Sequence, residues 1–385
     1  MDNKRIYLDH AATTPVAKEV FEAMLPYFSE RYGNASSLHS FGQEAKDALE
    51  ESRERIAKRM NSGAEEIIFT SGGTESNNLA LKGIAARKGK GHIITSKIEH
   101  ASILAPCREL VNQGFSVTYL DVDEYGLVDP GDVAGALRED TILVSIGHAN
   151  NEVGTVQDIG EIGKITREKG VLLHTDACQS FTKEELDVKK QCLDLVSINA
   201  HKIHGPKGVG ALYIREGVKI IPQSQGGEHE KNIRAGTENV AGIVGFAKAA
   251  EITGGKQVGY MKGLRDQLIK GVLSGVEGVR LNGHPEKRLC NNANYGFEGI
   301  EGEALLLRLD MRGVACSTGS ACSSRSLMPS HVLLALGLKP EECHGSLRAT
   351  LGMENTKEEI DYAIQAIKEE VSNLRGISPF WKRKQ

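Results

Sequence analysis

The run Leu195-Val-Ser-Ile198 stops at a polar turn, Asn199-Ala-His-Lys202, and Gly205-Pro206 fixes the backbone just beyond it. The apolar run reads as a buried strand and the turn as its end. A lysine in that place can be desolvated, which lowers its pKa from about 10.4 and frees the amine to form a Schiff base with a carbonyl compound. A salt-bridged structural lysine accounts for the turn equally well when it is taken alone. The choice rests on what the neighbouring segments bring.

Four other segments end in polar residues suited to one ligand. The strand-like Glu66–Phe69 runs into Thr70-Ser-Gly-Gly-Thr-Glu-Ser76, where Gly73 lets backbone N–H groups close on an anion at a helix start and Thr74 adds a hydroxyl. This cup has neither the spacing of a P-loop nor that of a dinucleotide fingerprint, so ATP and NAD are disfavoured. The run Val171–Thr175 ends in Asp176-Ala-Cys-Gln179. A carboxylate at that end of a buried strand answers a pyridinium nitrogen, or else caps the next helix. His92–Thr95 leads to Glu99-His100, an imidazole able to stack on a flat ring and shuttle protons, and Asn150-Asn151-Glu152 offers amide donors or serves a turn. A phosphate cup, a ring partner, a carboxylate, amides and an amine at one sheet edge describe a pyridoxal phosphate site.

Two more features bear on the reaction. Val314-Ala-Cys-Ser-Thr-Gly-Ser-Ala-Cys-Ser-Ser324 is small, polar and glycine-bearing, as a mobile surface loop is, and it displays Cys322 where water and substrate can reach it. Cys178 and Cys192 lie in or near core elements and read as inert. Ser346-Leu-Arg348 supplies a cation for two-pronged binding of a substrate carboxylate, or for a structural ion pair.

The elements that must position these groups follow from pattern. Glu66–Phe69, His92–Thr95, Val117–Leu120, Ile142–Ile146, Val171–Thr175 and Leu195–Ile198 are short apolar runs, mostly spaced by helix-length segments, which is the signature of a mainly parallel, doubly wound α/β sheet. Val209–Ile214 follows the lysine turn too closely for a crossover helix and is expected to pair antiparallel. A helix is expected to begin near Pro15, and the charged stretch Gln43–Met60 reads as a solvated helix. Past about residue 255 the alternation loosens. Thr356-Lys-Glu-Glu359 forms a capping box ahead of an apolar face at Ile360, Ala363, Ile364, Ile367, Val371 and Leu374. The expected division is a large domain over 13–257 and a smaller α+β domain from 1–12 with 258–385.

A chain of 385 residues with ordinary soluble composition can bury two sizeable cores. A net charge of −4 gives no reason to expect nucleic acid or an anionic membrane as partner. No apolar run reaches the roughly 18 residues of a membrane span and no signal peptide is visible, so the cytoplasm is the expected compartment. Seven scattered cysteines in a chain of this size fit free thiols in a reducing compartment. The pair Cys316 and Cys322 lacks a second set, which argues against structural zinc.

The segments Tyr7-Leu-Asp-His-Ala-Ala-Thr-Thr14, Thr70–Ser76, Glu99-His100, Asn150-Asn-Glu152, Asp176-Ala-Cys-Gln179, His201-Lys202, Arg234-Ala-Gly-Thr237 and Ser320-Ala-Cys322 together, and in this order over nearly the whole chain, resemble the cysteine desulfurases. The likeness is to the long-loop group that serves iron–sulfur cluster assembly, within the class V aminotransferase-like proteins. It implies the fold type I of pyridoxal phosphate-dependent transferases, with a mainly parallel seven-stranded sheet, a smaller α+β domain and a homodimer. By the same resemblance Lys202 is the Schiff-base lysine, Cys322 the persulfide carrier and His100 the ring-stacking residue. Asp176 holds the pyridine nitrogen and Gln179 the phenolic oxygen; Gly73, Thr74, His201 and, from a second copy, Thr237 hold the phosphate. Asn151 and Arg348 take the substrate carboxylate. Asn199 stands where the family usually has a phosphate-contacting serine, and an amide donor is the longer group. The implied reaction takes sulfur from L-cysteine, leaves L-alanine and a persulfide on Cys322, and passes the sulfur to an iron–sulfur scaffold, with Cys322 also a candidate ligand of a transiently shared cluster. Rival readings are a selenocysteine lyase, a sulfinate-releasing relative, or a non-catalytic assembly partner lending Cys322 as ligand. An aminotransferase leaves the cysteine loop without an account.

Overall fold

Branched aliphatic runs make strands here because their side chains pack on both faces of a covered, pleated surface. The computed structural model describes residues 5–319, 329–379 and 381. Its strands are β1 (Ile6–Tyr7), β2 (Ile67–Thr70), β3 (His92–Ser96), β4 (Ser116–Leu120), β5 (Thr141–Ser145), β6 (Leu172–Asp176), β7 (Leu195–Asn199), β8 (Gly210–Ile214), β9 (Val279–Asn282), β10 (Asn292–Phe297), β11 (Val314–Ala315) and β12 (Ser346–Thr350).

Seven of them form one sheet in the order β2-β8-β7-β6-β5-β3-β4. Pairings from β7 through β6, β5 and β3 to β4 are parallel, and β8 runs antiparallel to both β2 and β7 as its short connection requires. Side chains alternate between the two faces. Ile67, Phe69, Ile94, Val144, Leu173 and Val196 join one core cluster, whereas Ile68, Ile93, Leu143, Leu195 and Leu212 join the cluster on the other side. A sheet covered on both faces is left with its strand ends as the place for polar chemistry.

A second core gathers Leu264, Leu268, Tyr295, Phe297, Leu347, Ile360, Ile364, Ile367 and Val371 with Ile6 and Leu8 from the N-terminus. Beneath it lies the antiparallel sheet β12-β10-β9, while β1 pairs in parallel with β11. The helix Lys357–Ile377 starts at the capping box expected from Thr356 and Glu359.

Two expectations differ from the structure. The helix expected near Pro15 begins at Lys18, because residues 11–14 are drawn across the sheet edge by Thr14, whose N–H donates to the His201 carbonyl. The stretch expected as a solvated helix is Ser40–Lys58 with one buried face of Ala45, Leu49, Arg53 and Ile56. Arg53 is the reason the charge pattern misleads. Its guanidinium is buried, donates to Glu230 at 2.9 and 2.8 Å, and lies 4.8 Å from the centre of the Phe69 ring. Glu230 Oε2 also accepts the Phe69 N–H at 2.7 Å. The pair holds down Glu230, Lys231 and Asn232, three successive non-glycine residues at φ of 40°, 58° and 61°, a conformation that persists only when surroundings impose it.

Removing one partner strands a buried charge, so Arg53→Ala is expected to cost about 3–5 kcal/mol in urea unfolding. A loss below about 1 kcal/mol would mean that the pair is solvated.

Candidate active site

Five strand ends meet at one rim. The carboxyl ends of β2, β3, β5, β6 and β7 open on a cavity of about 250 Å³, the position where open α/β sheets take ligands. Gly73, Thr74, His100, Asn151, Asp176, Gln179, Asn199, His201, Lys202 and Arg348 all line it.

Lys202 sits in the turn after β7, and the N-terminal segment lies over it. Its Nζ donates to the carbonyls of Ala11 and Ala12, the second at 2.8 Å. Gln179 Nε2 donates to the same Ala11 carbonyl at 3.0 Å. Thr14 Oγ1 donates to the His201 carbonyl at 3.0 Å and accepts the His204 N–H at 2.7 Å, closing the segment onto the lysine turn. Burial, reinforced by the nearby Arg348 charge, pulls the Lys202 amine down to about 8. His201, bonded to Thr13 Oγ1 at 3.2 Å, is held neutral at about 4 by burial and by Lys202.

The carboxylate opposite is oriented on both oxygens. Asp176, the last residue of β6, accepts from Asn77 Nδ2 at 2.7 Å and from the Cys178 N–H at 2.9 Å. It therefore ends the strand and also receives the turn that follows. Asn77 in turn reaches Ser102 Oγ at 2.8 Å, and Ser102 bonds His100 Nδ1 at 2.7 Å. His100 is the N-cap of the helix Ala101–Asn112, so its ring is fixed by the helix start. Glu99 beside it accepts from Ser96 Oγ and the Gly147 N–H, yet burial lifts it to about 7.

At the glycine turn the helix Gly73–Lys88 begins at the cavity lining with Gly73 and Thr74, and Gly72 stands at φ 151°, which side-chain-bearing residues rarely adopt. A Cβ on Gly73 would strike the Cys178 sulfur. Arg348 differs from expectation in one respect. Its two terminal nitrogens are engaged, one by Asp9 at 2.8 Å and one by the Asn151 carbonyl at 2.9 Å. What remains is Nε, buried without a partner, as are Asn77 Oδ1 and Asn199 Oδ1 at the same cavity. Buried polar atoms are nearly always paired, so these atoms mark where a ligand's polar groups belong.

Thr237 does not join this cavity within one chain; it lines a separate recess with Phe69, Ser71 and Arg234. Cys322 lies outside the described residues. The cavity also contains groups that sequence reasoning passed over: the Ala11 and Ala12 carbonyls, Asn77 and Ser102. Backbone carbonyls leave no mark on a sequence, and Asn77 carries none beyond its place on the helix after the glycine turn.

Residues 6–363 match the family described as aminotransferase class-V. The cysteine desulfurase IscS of Dictyoglomus turgidum is 52% identical over 388 residues, covering 98% of this chain and 98% of that protein. The chain belongs to the class V aminotransferase family, among the cysteine desulfurases. Solved structures agree. A NifS-like protein superposes with a TM-score of 0.90 at 39% identity, over 96% of this chain and all of that one. A structure described as SspA in complex with cysteine gives 0.83 at 37% identity, over 92% of this chain and all of that one. The fold is therefore that of the NifS-like desulfurases. Among the described residues no helix is long and apolar enough to cross a membrane, and the six described cysteines, Cys107, Cys178, Cys192, Cys290, Cys316 and Cys343, are free thiols.

Because the neutral amine is the nucleophile, acylation of Lys202 by a small reagent in the ligand-free protein should rise with pH and reach half its limit near pH 8, whereas ordinary lysines do so near 10.4. Peptide-resolved labelling checks this; titration of Lys202 with the surface lysines would contradict the burial argument.

Proposed function

We propose that this chain is a pyridoxal phosphate-dependent cysteine desulfurase that takes sulfur from L-cysteine, releases L-alanine and carries the sulfur as a persulfide on Cys322 to an iron–sulfur scaffold or another acceptor. The observation that carries the reading is the Lys202 amine, brought near neutral pKa and seated on two carbonyls in a cavity that also presents Asp176 and a helix N-terminus. The reading also takes a homodimer from the resemblance to the cysteine desulfurases, and the division into 13–257 and 1–12 with 258–385 and a cytoplasmic location from the sequence pattern.

The residues present fit the cofactor. A flat, phosphorylated aldehyde needs an amine, an anion cradle and a partner for its ring nitrogen, and the cavity lining supplies all three. Gly73, Thr74, Asn199 and His201 would hold the phosphate with Thr237 of the partner subunit, Asp176 the ring nitrogen, Gln179 the phenolic oxygen, and His100 the ring face. Asn199 would donate to the phosphate through its amide nitrogen, where the family usually has a serine hydroxyl. Bound, the cofactor supplies a carbonyl carbon for amines and a ring that accepts the electron pair released at a substrate Cα.

The chain's own groups do the rest. Arg348 Nε and Asn151 bind and orient the substrate carboxylate. Lys202, neutral in a large fraction of molecules above pH 8, takes the Cα proton at Nζ and returns one later. The Cys322 thiolate attacks the substrate sulfur, so that an S–S bond forms as the carbon–sulfur bond breaks. A thiol with a pKa of about 8.5 is only a few per cent ionised at pH 7, so a nearby acceptor such as His100 raises the reactive fraction.

Cys322→Ala and Lys202→Ala assayed with L-cysteine separate the roles. Neither should form persulfide, alanine release in the lysine variant should fall by at least the roughly 10²–10⁴-fold of a lost general base, and only the cysteine variant should keep the cofactor. Alanine release at the wild-type rate by Cys322→Ala would remove the thiol from the reaction.

A further inference from the structure

Behind the lysine turn, away from the substrate cavity, two imidazoles and a carboxylate converge. His10, His204 and Glu354 each bring a ligand-type atom within 4.8 Å of the others, the one such group of three among the described residues. The histidines are 3% and 4% exposed, with ring centroids 5.7 Å apart. Glu354 closes the group from the solvent side, its Oε1 lying 3.1 Å from His204 Nδ1. His10 Nδ1 is buried and has no hydrogen-bond partner. Neither ring is free to turn away. The Gly352 backbone presses on the His10 imidazole so closely that a Cβ there would strike it, and His204 is set in the left-handed region at φ 64° with its N–H on Thr14.

We propose that His10, His204 and Glu354 form a binding site for one divalent cation of the zinc type. Two imidazoles and one carboxylate are a borderline N/O donor set, matched to zinc, and they leave a fourth position open to water. Ligands at about 2.1 Å from a tetrahedral ion stand roughly 3.4 Å apart, a spacing that the 3.1 Å contact between Glu354 and His204 already approaches. Lys183 is the cation facing His10 from within, its amine on the Gln179 carbonyl and itself brought down to about 8. Glu354 supplies the opposing negative charge. His10 immediately precedes the two carbonyls that seat Lys202, and His204 follows that lysine by two residues, so a bound ion fastens the wall of the lysine's seat to its floor. The site stands on these residues alone and does not depend on the reaction assigned to the cavity.

Cobalt(II) titrated into the full-length holoprotein is the test. The expected result is one equivalent bound with visible d–d absorption, no thiolate-to-cobalt charge transfer, and displacement by zinc. Glu354→Gln, whose side chain is half exposed and whose fold thermal unfolding checks, should bind at least tenfold more weakly. His204→Asn keeps a residue that tolerates positive φ and, combined with His10→Ala, should abolish the band. No cobalt band, a thiolate band, or binding unchanged in these variants would overturn the site and leave only the His204–Glu354 contact.

Discussion

An amine that must leave water and settle on backbone carbonyls is the constraint from which this structure is arranged. Carbonyl oxygens accept hydrogen bonds from either protonation state of Lys202, but they carry no full charge to repay the desolvation of an ammonium. Arg348, itself 1% exposed, adds a like charge nearby. Both effects favour the neutral amine, the form that can serve as a nucleophile or a base close to neutral pH.

Holding that seat requires elements far apart in sequence. The turn between β7 and β8 has no room for a crossover helix, which makes β8 antiparallel and leaves Lys202 standing at the rim. Residues 11–14 then cross the rim, tied by Thr13 and Thr14 to the lysine turn and by the Ala11 N–H to Thr350 Oγ1. Around the cavity the carboxylates are treated differently. Asp176 receives two donors, while Glu99 is buried deeply enough to be lifted to about 7 despite its own donors. Below the rim His174 bridges Ser145 and Ser197 and stays neutral at about 4 because it is buried, so the three central strands are cross-linked without adding charge.

Most of this was legible wherever a side chain both carries the chemistry and ends an apolar run. Lys202, Asp176, His100 and Gly73 line one cavity as expected, because strand period and strand ends are local signals, whereas Arg348, in the middle of β12, was brought to the site by the resemblance. The seat itself was not legible, since it is built from the carbonyls of Ala11 and Ala12, and any residue type offers a carbonyl. Arg53 was misread as solvated because nothing local announces that its partner, Glu230, lies 177 residues away. Asp9 was likewise not expected to occupy part of the Arg348 fork, an interaction closed across 339 residues. The recess holding Thr237 shows the same limit, since no period within the chain sets it apart from the cavity.

Reduction with borohydride followed by peptide mapping tests the central claim most directly, because among the described residues two lysines, the buried Lys183 and the partly buried Lys202, are each brought down to about 8. Holoprotein treated this way should carry a pyridoxyl group on the peptide containing Lys202 and lose its visible absorption. A pyridoxyl group on Lys183, or none on Lys202, would contradict the account.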